Sequence, residues 1–243
     1  MISKNQLKHI RTLHQKKFRN QHGQFIIEGV RSLSSAIDAK GEIEQIVLTK
    51  SFLQKYSDIM DKFKTFPQTF ISENELKQLS PSASPSGVLA VCKKINYGSI
   101  NSEKHIIYLD HISDPGNMGT ILRTAVWFGV DQVILSSGCI DLFNPKVVRS
   151  AMGAHFHLSW AGELSIDALE GYSCLGADPQ GEPIQDLNSI PKTWALIMGS
   201  EAHGLSSEAE NAIDRMVGIP SVGYGESLNV GVATGILLHN LTQ

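Results

Sequence analysis

The segment SLNVGVATG, residues 227–235, follows an Ile219-Pro220 pair and opens the last apolar helical pattern of the chain. Gly231 and Gly235 leave part of this predicted helix almost without side chains. Each glycine inside a helix costs about 1 kcal/mol relative to alanine. A helix of this composition therefore needs a compensating reason, and we expect close approach of another part of the backbone.

Two further motifs precede this segment: GSEAHGL at residues 199–205 and DPGNMGTILRTAVWFG at residues 114–129. Each motif lies in or after the loop that follows a short apolar run with the length of a buried strand, and these runs are HIIYLD, WALIMG and RMVGIP in chain order. In an open parallel sheet, ligands bind at the carboxyl ends of the strands. The sequence therefore predicts that the three motifs lie along one edge of a sheet, as an active site requires.

From residue 105 onward, predicted strands and helices alternate, which indicates an α/β fold with a mostly parallel sheet flanked by helices. The N-terminal part is a smaller α/β region in which one amphipathic helix spans Leu7 to Lys17. A polar segment rich in Ser and Asn separates the two parts. We therefore predict a first domain at residues 1–95, a linker at 96–104 and a second domain at 105–243.

Charge is distributed unevenly along the chain, whose formal net charge is -3. Residues 1–31 contain seven basic side chains and a single acid, Glu28. Such a basic arm can contact phosphates locally, although a solvated helix face gives the same pattern. The candidate RNA contacts in this arm are Lys8, Arg11, Lys16, Lys17 and Arg19.

Several classes of protein are disfavoured by missing patterns. No apolar run is long enough to span a bilayer, and the basic start lacks the apolar stretch of a secretory signal. Three cysteines without paired spacing are typical of a reduced, cytoplasmic protein. A predicted strand HFHLSW would place His155 and His157 on one face, but no third ligand accompanies them, so we expect no metal site.

Cofactors that carry phosphates are also disfavoured. The chain contains neither a G-x-x-x-x-G-K-[ST] loop nor a G-x-G-x-x-G segment that opens a helix. Gly223 and Gly225 come nearest to the second pattern, but they lack its third glycine and read as a turn.

In this order, the three motifs resemble those of the SpoU/TrmH family of RNA ribose 2'-O-methyltransferases. The chain matches D-P-x-N-x-G-x-x-x-R-T-A, G-x-E-x-x-G-L and I-P-x-x-G-x-x-x-S-L-N-V, with Ser221 at a position where many relatives have methionine. The resemblance covers residues 105–243. It implies S-adenosylmethionine as cofactor, which fits the missing phosphate loops, together with a deep trefoil knot and a homodimer.

The resemblance also implies a set of catalytic residues: Arg123, Asn117, Glu201, Ser227 and Asn229. Arginine stays protonated in proteins, so orienting the ribose-phosphate or stabilising a developing alkoxide suits Arg123 better than a role as base, and we leave this open. Glu201 would fix loop geometry or pair with Arg123. Read without the family, Asn117 and Ser227 are ordinary helix caps.

Three positions correspond to the family's cofactor pocket: Gly199, Ile219 and Leu228. Without the resemblance, the two apolar side chains would be read as core. The N-terminal part is similar to the accessory domain of many relatives, which resembles ribosomal protein L30e. The similarity depends on Ser3, Asn5, Lys8 and the strings FIIEGVR and SPSGVLAV. Such domains bind structured RNA.

We therefore expect a cytoplasmic RNA 2'-O-methyltransferase whose partners are RNA, ribosomal RNA in the first place, and a second copy of the chain. Two alternatives stay open. One is 2'-O-methylation of transfer RNA, and the other is a non-catalytic RNA-binding or ribosome-assembly factor. Loss of Arg123, Asn117 or the SLNV string would favour the non-catalytic factor, and all are intact.

Overall fold

The computed structural model describes residues 2–187 and 189–243. In chain order, the helices and strands are α1 (Lys4–Thr12), α2 (Lys16–His22), β1 (Gln24–Glu28), α3 (Val30–Asp38), β2 (Ile43–Thr49), α4 (Lys50–Lys55), α5 (Met60–Phe63), β3 (Gln68–Ile71), α6 (Glu73–Leu79), β4 (Val88–Lys93), β5 (Ile106–Leu109), α7 (Pro115–Trp127), β6 (Gln132–Leu135), α8 (Pro145–Ala151), β7 (Ser159–Glu163), β8 (Ser173–Pro183), β9 (Trp194–Met198), α9 (Ser207–Asn211), β10 (Arg215–Gly218) and α10 (Val230–Leu241).

These elements form two compact units, and each unit is built from two segments of the chain. The first comprises Met1–Ile95 and Asp141–His157, and the second comprises Asn96–Ile140 and Leu158–Gln243. The predicted second domain included residues 141–157, whereas this segment packs within the first unit. The Phe143 ring lies against Phe25 of β1, with ring centroids 4.8 Å apart. Where the functional domains begin and end stays a prediction.

The sheet of the first unit has the strand order β1-β4-β2-β3. Strand β4 is antiparallel to both β1 and β2, and β2 is parallel to β3. Its core joins α1 to the sheet through buried apolar side chains such as Ile10, Ile26 and Leu89.

The predicted single helix from Leu7 to Lys17 is wrong, because α1 ends at Thr12 and α2 begins at Lys16. The carbonyls of Leu13 and His14 accept hydrogen bonds from the Arg19 guanidinium at 2.9 and 2.8 Å. A side chain therefore satisfies backbone acceptors at the corner between the two helices.

The sheet of the second unit confirms the predicted parallel architecture. Its six strands have the order β10-β8-β9-β5-β6-β7, and every neighbouring pair is parallel. Both central strands are wholly buried, and α7, α9 and α10 flank the sheet. None of the helices in residues 2–187 and 189–243 combines the length and apolar character that crossing a bilayer requires.

The glycine-rich start of α10 packs against α7, as its composition suggests. A Cβ atom on Gly231 would lie 2.9 Å from Cγ2 of Thr120, closer than packed side chains tolerate. On Gly235 it would lie 3.6 Å from Cγ2 of Thr124, which is ordinary contact. The close neighbour of Gly231 is thus a threonine side chain rather than the expected backbone.

The predicted strand HFHLSW is wrong in its first half. Residues Ala154–His157 form a 3-10 helix, and β7 begins only at Ser159. His155 is buried and its Nε2 donates to the Leu142 carbonyl at 2.8 Å, whereas His157 Nε2 bonds Ser35 Oγ at 2.9 Å. The two histidines therefore do not share a strand face. The described residues contain no group of His, Cys, Asp or Glu that could hold a metal ion.

Candidate active site

The side-chain amide of Asn229 joins all three sequence motifs. Its Nδ2 donates to Asn117 Oδ1 and to Glu201 Oε1, both at 2.8 Å. Its Oδ1 accepts from the backbone N–H groups of Gly231 and Val232 at 3.0 and 3.3 Å. Both donors and both acceptor positions of this carboxamide are therefore used. We refer to Asn117, Glu201 and Asn229 as the motif cluster.

Asn229 caps the last helix, which corrects the prediction that Ser227 caps it. Helix α10 begins at Val230, and Ser227 lies in the exposed segment before it. The cap side chain has two functions at once, because its oxygen terminates the helix while its nitrogen fixes the motif cluster. Glu201 adds a weaker contact, accepting from the Val230 N–H at 3.4 Å.

Asn117 does not cap its helix either. Asp114 is the N-cap of α7, and its Oδ1 accepts from the Asn117 N–H at 2.8 Å, with Pro115 in the first turn. Asn117 stands one turn inside the helix, so its side chain is available to the motif cluster. Helix capping therefore does not explain the asparagine at position 117.

The turn after β9 holds Glu201 in place. Ser200 and Gly204 exchange two backbone hydrogen bonds, each of 2.9 Å. A Cβ atom on Gly199 would lie 2.4 Å from the carbonyl carbon of Gly204, so only glycine fits at this strand end. This packing supplies a structural reason for Gly199, beside the predicted role in cofactor binding.

Asp110 is a buried carboxylate that the sequence analysis did not identify as a site residue. It follows β5, accepts from the Ser206 N–H at 2.7 Å, and lies 2.7 Å from Nδ1 of His111. Burial raises its pKa, but hydrogen bonds from Ser206, His111 and Ser136 outweigh burial and hold the pKa below the ordinary value. An acid that ends the apolar run HIIYLD was the signal that could have found it.

A cavity of about 500 Å³ opens between the loop after β5 and the turn after β9. Its wall includes His111, Ile112, Ser113, Asp114, Asn117, Gly138, Ser200, Glu201, Ala202, His203, Gly204, Leu205, Ser206 and Val230. The apolar side chains of Ile112, Leu205 and Val230, beside polar side chains such as Ser113, suit a ligand with a heterocycle and no phosphate. S-adenosylmethionine meets that description, so the residues present fit this cofactor.

The two other predicted cofactor residues flank an open segment. Ile219 follows β10 and is half-buried, and Leu228 is 48% exposed. Residues 220–229 are all exposed, including Val222 and Tyr224. Roles of Gly199, Ile219 and Leu228 in binding the cofactor therefore stay predictions.

Arg123 does not line the cavity beside Asn117 and Glu201. It is exposed on α7 and lines a groove of about 630 Å³ between α7 and α10. The same groove contains Trp127, which is 84% exposed, together with Val232 and Ile236. The suggested pairing of Glu201 with Arg123 is not what the structure shows, since Glu201 bonds Asn229 and Val230.

Four of the five predicted RNA contacts are exposed in the first unit: Lys8, Arg11, Lys16 and Lys17. Arg19 is the exception and corrects the prediction, because it is only 2% exposed. Its guanidinium forms an ion pair with Asp141 and binds the Leu13 and His14 carbonyls. The buried arginine therefore stabilises the first unit and is not available to phosphates.

Comparison with known proteins agrees with this geometry. The model of the SpoU rRNA Methylase family matches residues 104–239, and the MRM3-like substrate binding domain matches residues 4–90. The 23S rRNA (guanosine(2553)-2'-O)-methyltransferase RlmP of Bacillus subtilis is 32% identical, over 98% of this chain and 97% of RlmP. The mitochondrial rRNA methyltransferase 3 of Xenopus laevis is 28% identical, over 92% of this chain and 70% of that protein.

Two solved structures share the fold over nearly the whole chain. A TrmH-family RNA methyltransferase from Porphyromonas gingivalis superposes with a TM-score of 0.85 at 31% identity, covering 99% of this chain and 98% of that one. An AdoMet-bound rRNA methyltransferase from Sinorhizobium meliloti gives 0.84 at 26% identity, with 99% and 96% covered. The chain belongs to the SpoU rRNA methylase family. The predicted enzyme class, an RNA methyltransferase that uses S-adenosylmethionine, is thereby confirmed.

Proposed function

We propose that this protein transfers a methyl group from S-adenosylmethionine to the 2'-hydroxyl of one ribose in ribosomal RNA, with 23S rRNA as the first candidate. The observation that carries the proposal is the motif cluster, in which one amide of Asn229 holds Asn117 and Glu201. RlmP, whose name states this reaction on 23S rRNA, supports the substrate because it aligns along almost its full length.

The main task of the protein in this reaction is to align the ribose hydroxyl with the methyl group of the cofactor. A ribose 2'-hydroxyl is a weak nucleophile, and its proton would pass to solvent as its oxygen takes the methyl group. The cofactor, when bound, would supply that methyl group from its sulfonium and leave as S-adenosylhomocysteine. Holding the two reactants in line can lower the barrier by several kcal/mol, about 7–11 in favourable cases. In the proposal, the motif cluster fixes the loops around the cavity, and Ser227 faces the RNA from the exposed segment before α10.

Arg123 is proposed to orient the target ribose-phosphate and to stabilise the alkoxide that develops on the ribose oxygen. A guanidinium stays protonated and offers up to five N–H donors, which suits charge stabilisation better than proton removal. Its exposure on α7 leaves the donors open to a ligand.

A homodimer through the groove between α7 and α10 is part of the proposal. Trp127 is 84%, Val232 50% and Ile236 36% exposed on this face, a concentration of apolar surface that monomers seldom leave open. A second copy covering this face would place Arg123 at the interface. The trefoil knot that the resemblance implies and a cytoplasmic location, where ribosomes are assembled, are likewise proposed.

The test is methyl transfer from tritiated S-adenosylmethionine to purified 23S rRNA, 16S rRNA and transfer RNA, each separately. We expect incorporation into 23S rRNA, and an Arg123→Ala variant that loses it by about 100-fold or more, as expected for a lost charge-stabilising group. Arg149→Ala, which removes an exposed arginine of α8, is the matched control and should keep full activity. Incorporation of label into transfer RNA alone would instead support 2'-O-methylation of transfer RNA. No label in any RNA, with RNA binding retained, would favour the non-catalytic factor.

A further inference from the structure

Three aromatic rings form a row across α1 and α2 of the first unit. Phe18 and His22, one helical turn apart, have nearly parallel rings at an angle of 11° with centroids 6.4 Å apart. His9 and His22 are in an edge-to-face arrangement, with centroids 4.7 Å apart and planes at 76°. We call His9, Phe18 and His22 the ring row.

The ring row is accessible and its geometry is fixed. His22 is exposed, and Phe18 and His9 are half-buried. His9 Nε2 donates to Gln24 Oε1 at 2.7 Å, and the Gln24 amide in turn donates to Glu44. These hydrogen bonds fix the orientation of the His9 ring within the row.

The buried Arg19 fixes the helix corner from which the row projects. Through its bonds to the Leu13 and His14 carbonyls and its ion pair with Asp141, it holds the junction of α1 and α2. The rings are thus carried on a rigid junction rather than on a loose terminal arm. Rigid placement lowers the conformational cost of binding.

The charged side chains of the two helices that carry the row are all cationic. Lys8, Arg11, Lys16 and Lys17 are exposed on the same two helices, and the first acid in the chain is Glu28. Lys17 Nζ lies 5.8 Å from the centroid of the Phe18 ring. A cation beside a stacking ring is where the phosphate of a stacked nucleotide can be neutralised.

We propose that the ring row is a stacking platform for an unpaired nucleotide of the RNA, and that the cations of the two helices bind the adjoining phosphates. This inference rests on the proposed function, since RNA is taken as the partner. Rings combined with cations are the elements of sequence-tolerant binding to single-stranded nucleic acid. A base inside a duplex has no free face for stacking, so the platform selects a nucleotide in a single-stranded loop, bulge or overhang.

The test uses the full-length protein and two fluorescent RNAs of equal length: a hairpin with an unpaired loop, and a blunt duplex. Phe18→Leu and His22→Leu remove one ring each and leave an aliphatic side chain in its place. Each is expected to weaken hairpin binding by about 10-fold, the effect of losing one stacked base. Duplex binding and the dependence of hairpin affinity on salt should not change.

Three controls separate the platform from folding and from charge. Phe18→Tyr keeps a ring and should bind like the parent protein, and His22 is exposed, so its replacement leaves the core intact. Phe70→Leu removes an exposed ring from β3, at the edge of the sheet opposite β1, and should have no effect. Changing Lys8, Lys16 and Lys17 to Gln should flatten the salt dependence on both RNAs.

Equal hairpin affinity for the parent, Phe18→Leu and His22→Leu would overturn the platform, as would an equal loss on hairpin and duplex. Methyl transfer by the parent protein is measured beside these titrations. Methylation without ring-dependent binding would refute the platform and leave the proposed function standing. Ring-dependent binding without methylation would refute the proposed function and leave the platform standing.

Discussion

Asn229 connects segments that are far apart in the chain, since Asn117 is 112 and Glu201 is 28 positions away. Each residue on its own has an ordinary explanation as a cap or a loop residue. Their hydrogen bonds of 2.8 Å join them in one cluster that no single position indicates. The motif cluster is therefore built from polar side chains that position loops.

Replacing Asn229 by Asp separates its two functions. A carboxylate still caps α10, so the free energy of unfolding should change by less than about 1 kcal/mol. It cannot donate to Asn117, and it repels Glu201. We expect methyl transfer to fall by about 10- to 100-fold, as for the loss of hydrogen bonds to a charged group.

Asn144 gives a matched control, because its Oδ1 caps α8 by accepting from the Lys146 N–H at 2.9 Å. Asn144→Asp should leave both stability and methyl transfer unchanged. Full activity in Asn229→Asp would show that the donors of this amide are dispensable.

Arg19→Ala should destabilise the protein rather than weaken RNA binding. Removing one partner of a buried ion pair leaves Asp141 and two carbonyls without their donor, at a cost of about 3–5 kcal/mol. Urea unfolding measures this cost, and Lys17→Ala on the exposed face should change stability by less than about 0.5 kcal/mol. An Arg19→Ala protein of normal stability and poor RNA affinity would return this arginine to the set of RNA contacts.

His155 should make stability depend on pH. Burial lowers its pKa to about 4, although the Leu142 carbonyl and Asp141 act in the opposite direction. The unfolded chain, with an ordinary histidine pKa near 6.5, therefore binds the proton more readily. Its contribution is fully present above pH 6.5 and is lost as the pH falls toward 4, by about 3 kcal/mol in all.

His155→Gln keeps a donor for the Leu142 carbonyl and removes the titration. Unfolding measured at pH 7 and pH 5 should show a smaller loss of stability in this variant than in the parent protein. An identical loss in both proteins would mean that other groups cause the acid sensitivity.

At the scale of elements, regular periodicity predicted the central strands and α7 well, because their apolar side chains are buried in the pattern that the sequence displays. The prediction of a strand for HFHLSW was wrong at its start, because Ala154–His157 form a 3-10 helix. His155 is buried in that helix, so its burial does not indicate a strand face. Arg19 was misjudged for a related reason: its partner Asp141 is 122 residues away, and local charge patterning contains no trace of it.

The packing of α7 on α10 can be tested with a pair of glycines. In Gly231→Ala the new methyl group would meet Thr120, whose hydroxyl is bonded to the Gly116 carbonyl at 2.9 Å and resists rotation. Overpacking of this kind costs about 1–3 kcal/mol. Gly235→Ala meets only ordinary contact with Thr124, so the helix propensity of alanine should stabilise it by up to about 1 kcal/mol.

Thermal unfolding of the two variants at equal protein concentration measures these effects. We expect Gly231→Ala to lower the melting temperature and Gly235→Ala to leave it unchanged or raise it. Equal stability of Gly231→Ala and Gly235→Ala would contradict the close packing of Gly231 against Thr120.

At the scale of the whole molecule, the fold class could be predicted and the composition of the units could not. Alternating strands and helices indicated the parallel sheet. By contrast, the inclusion of Asp141–His157 in the first unit depends on contacts such as Phe143 with Phe25, which no local pattern reveals. The three ordered motifs predicted residues that the structure joins in the motif cluster, whereas the position of Arg123 in a separate groove depends on packing that no motif reveals.

The proposed dimer makes a prediction at this scale. Ile236→Glu places a charge in the apolar groove of α7 and α10, and we expect monomers in light scattering together with at least about 10-fold lower methyl transfer, since an unpaired charge is costly in an interface. Phe70→Glu, at an exposed apolar position in the other unit, should remain dimeric and active. A monomeric parent protein would refute the dimer.

Mapping of ribose methylation in the ribosomal RNA of cells with and without this protein tests the central claim most directly. Alkaline cleavage spares the bond that follows a 2'-O-methylated nucleotide. We predict one protected position in 23S rRNA that disappears when the protein is absent and returns with the parent protein, but not with Asn229→Asp. Identical protection patterns in both cells, for ribosomal and transfer RNA alike, would contradict the assignment of this protein as an RNA 2'-O-methyltransferase.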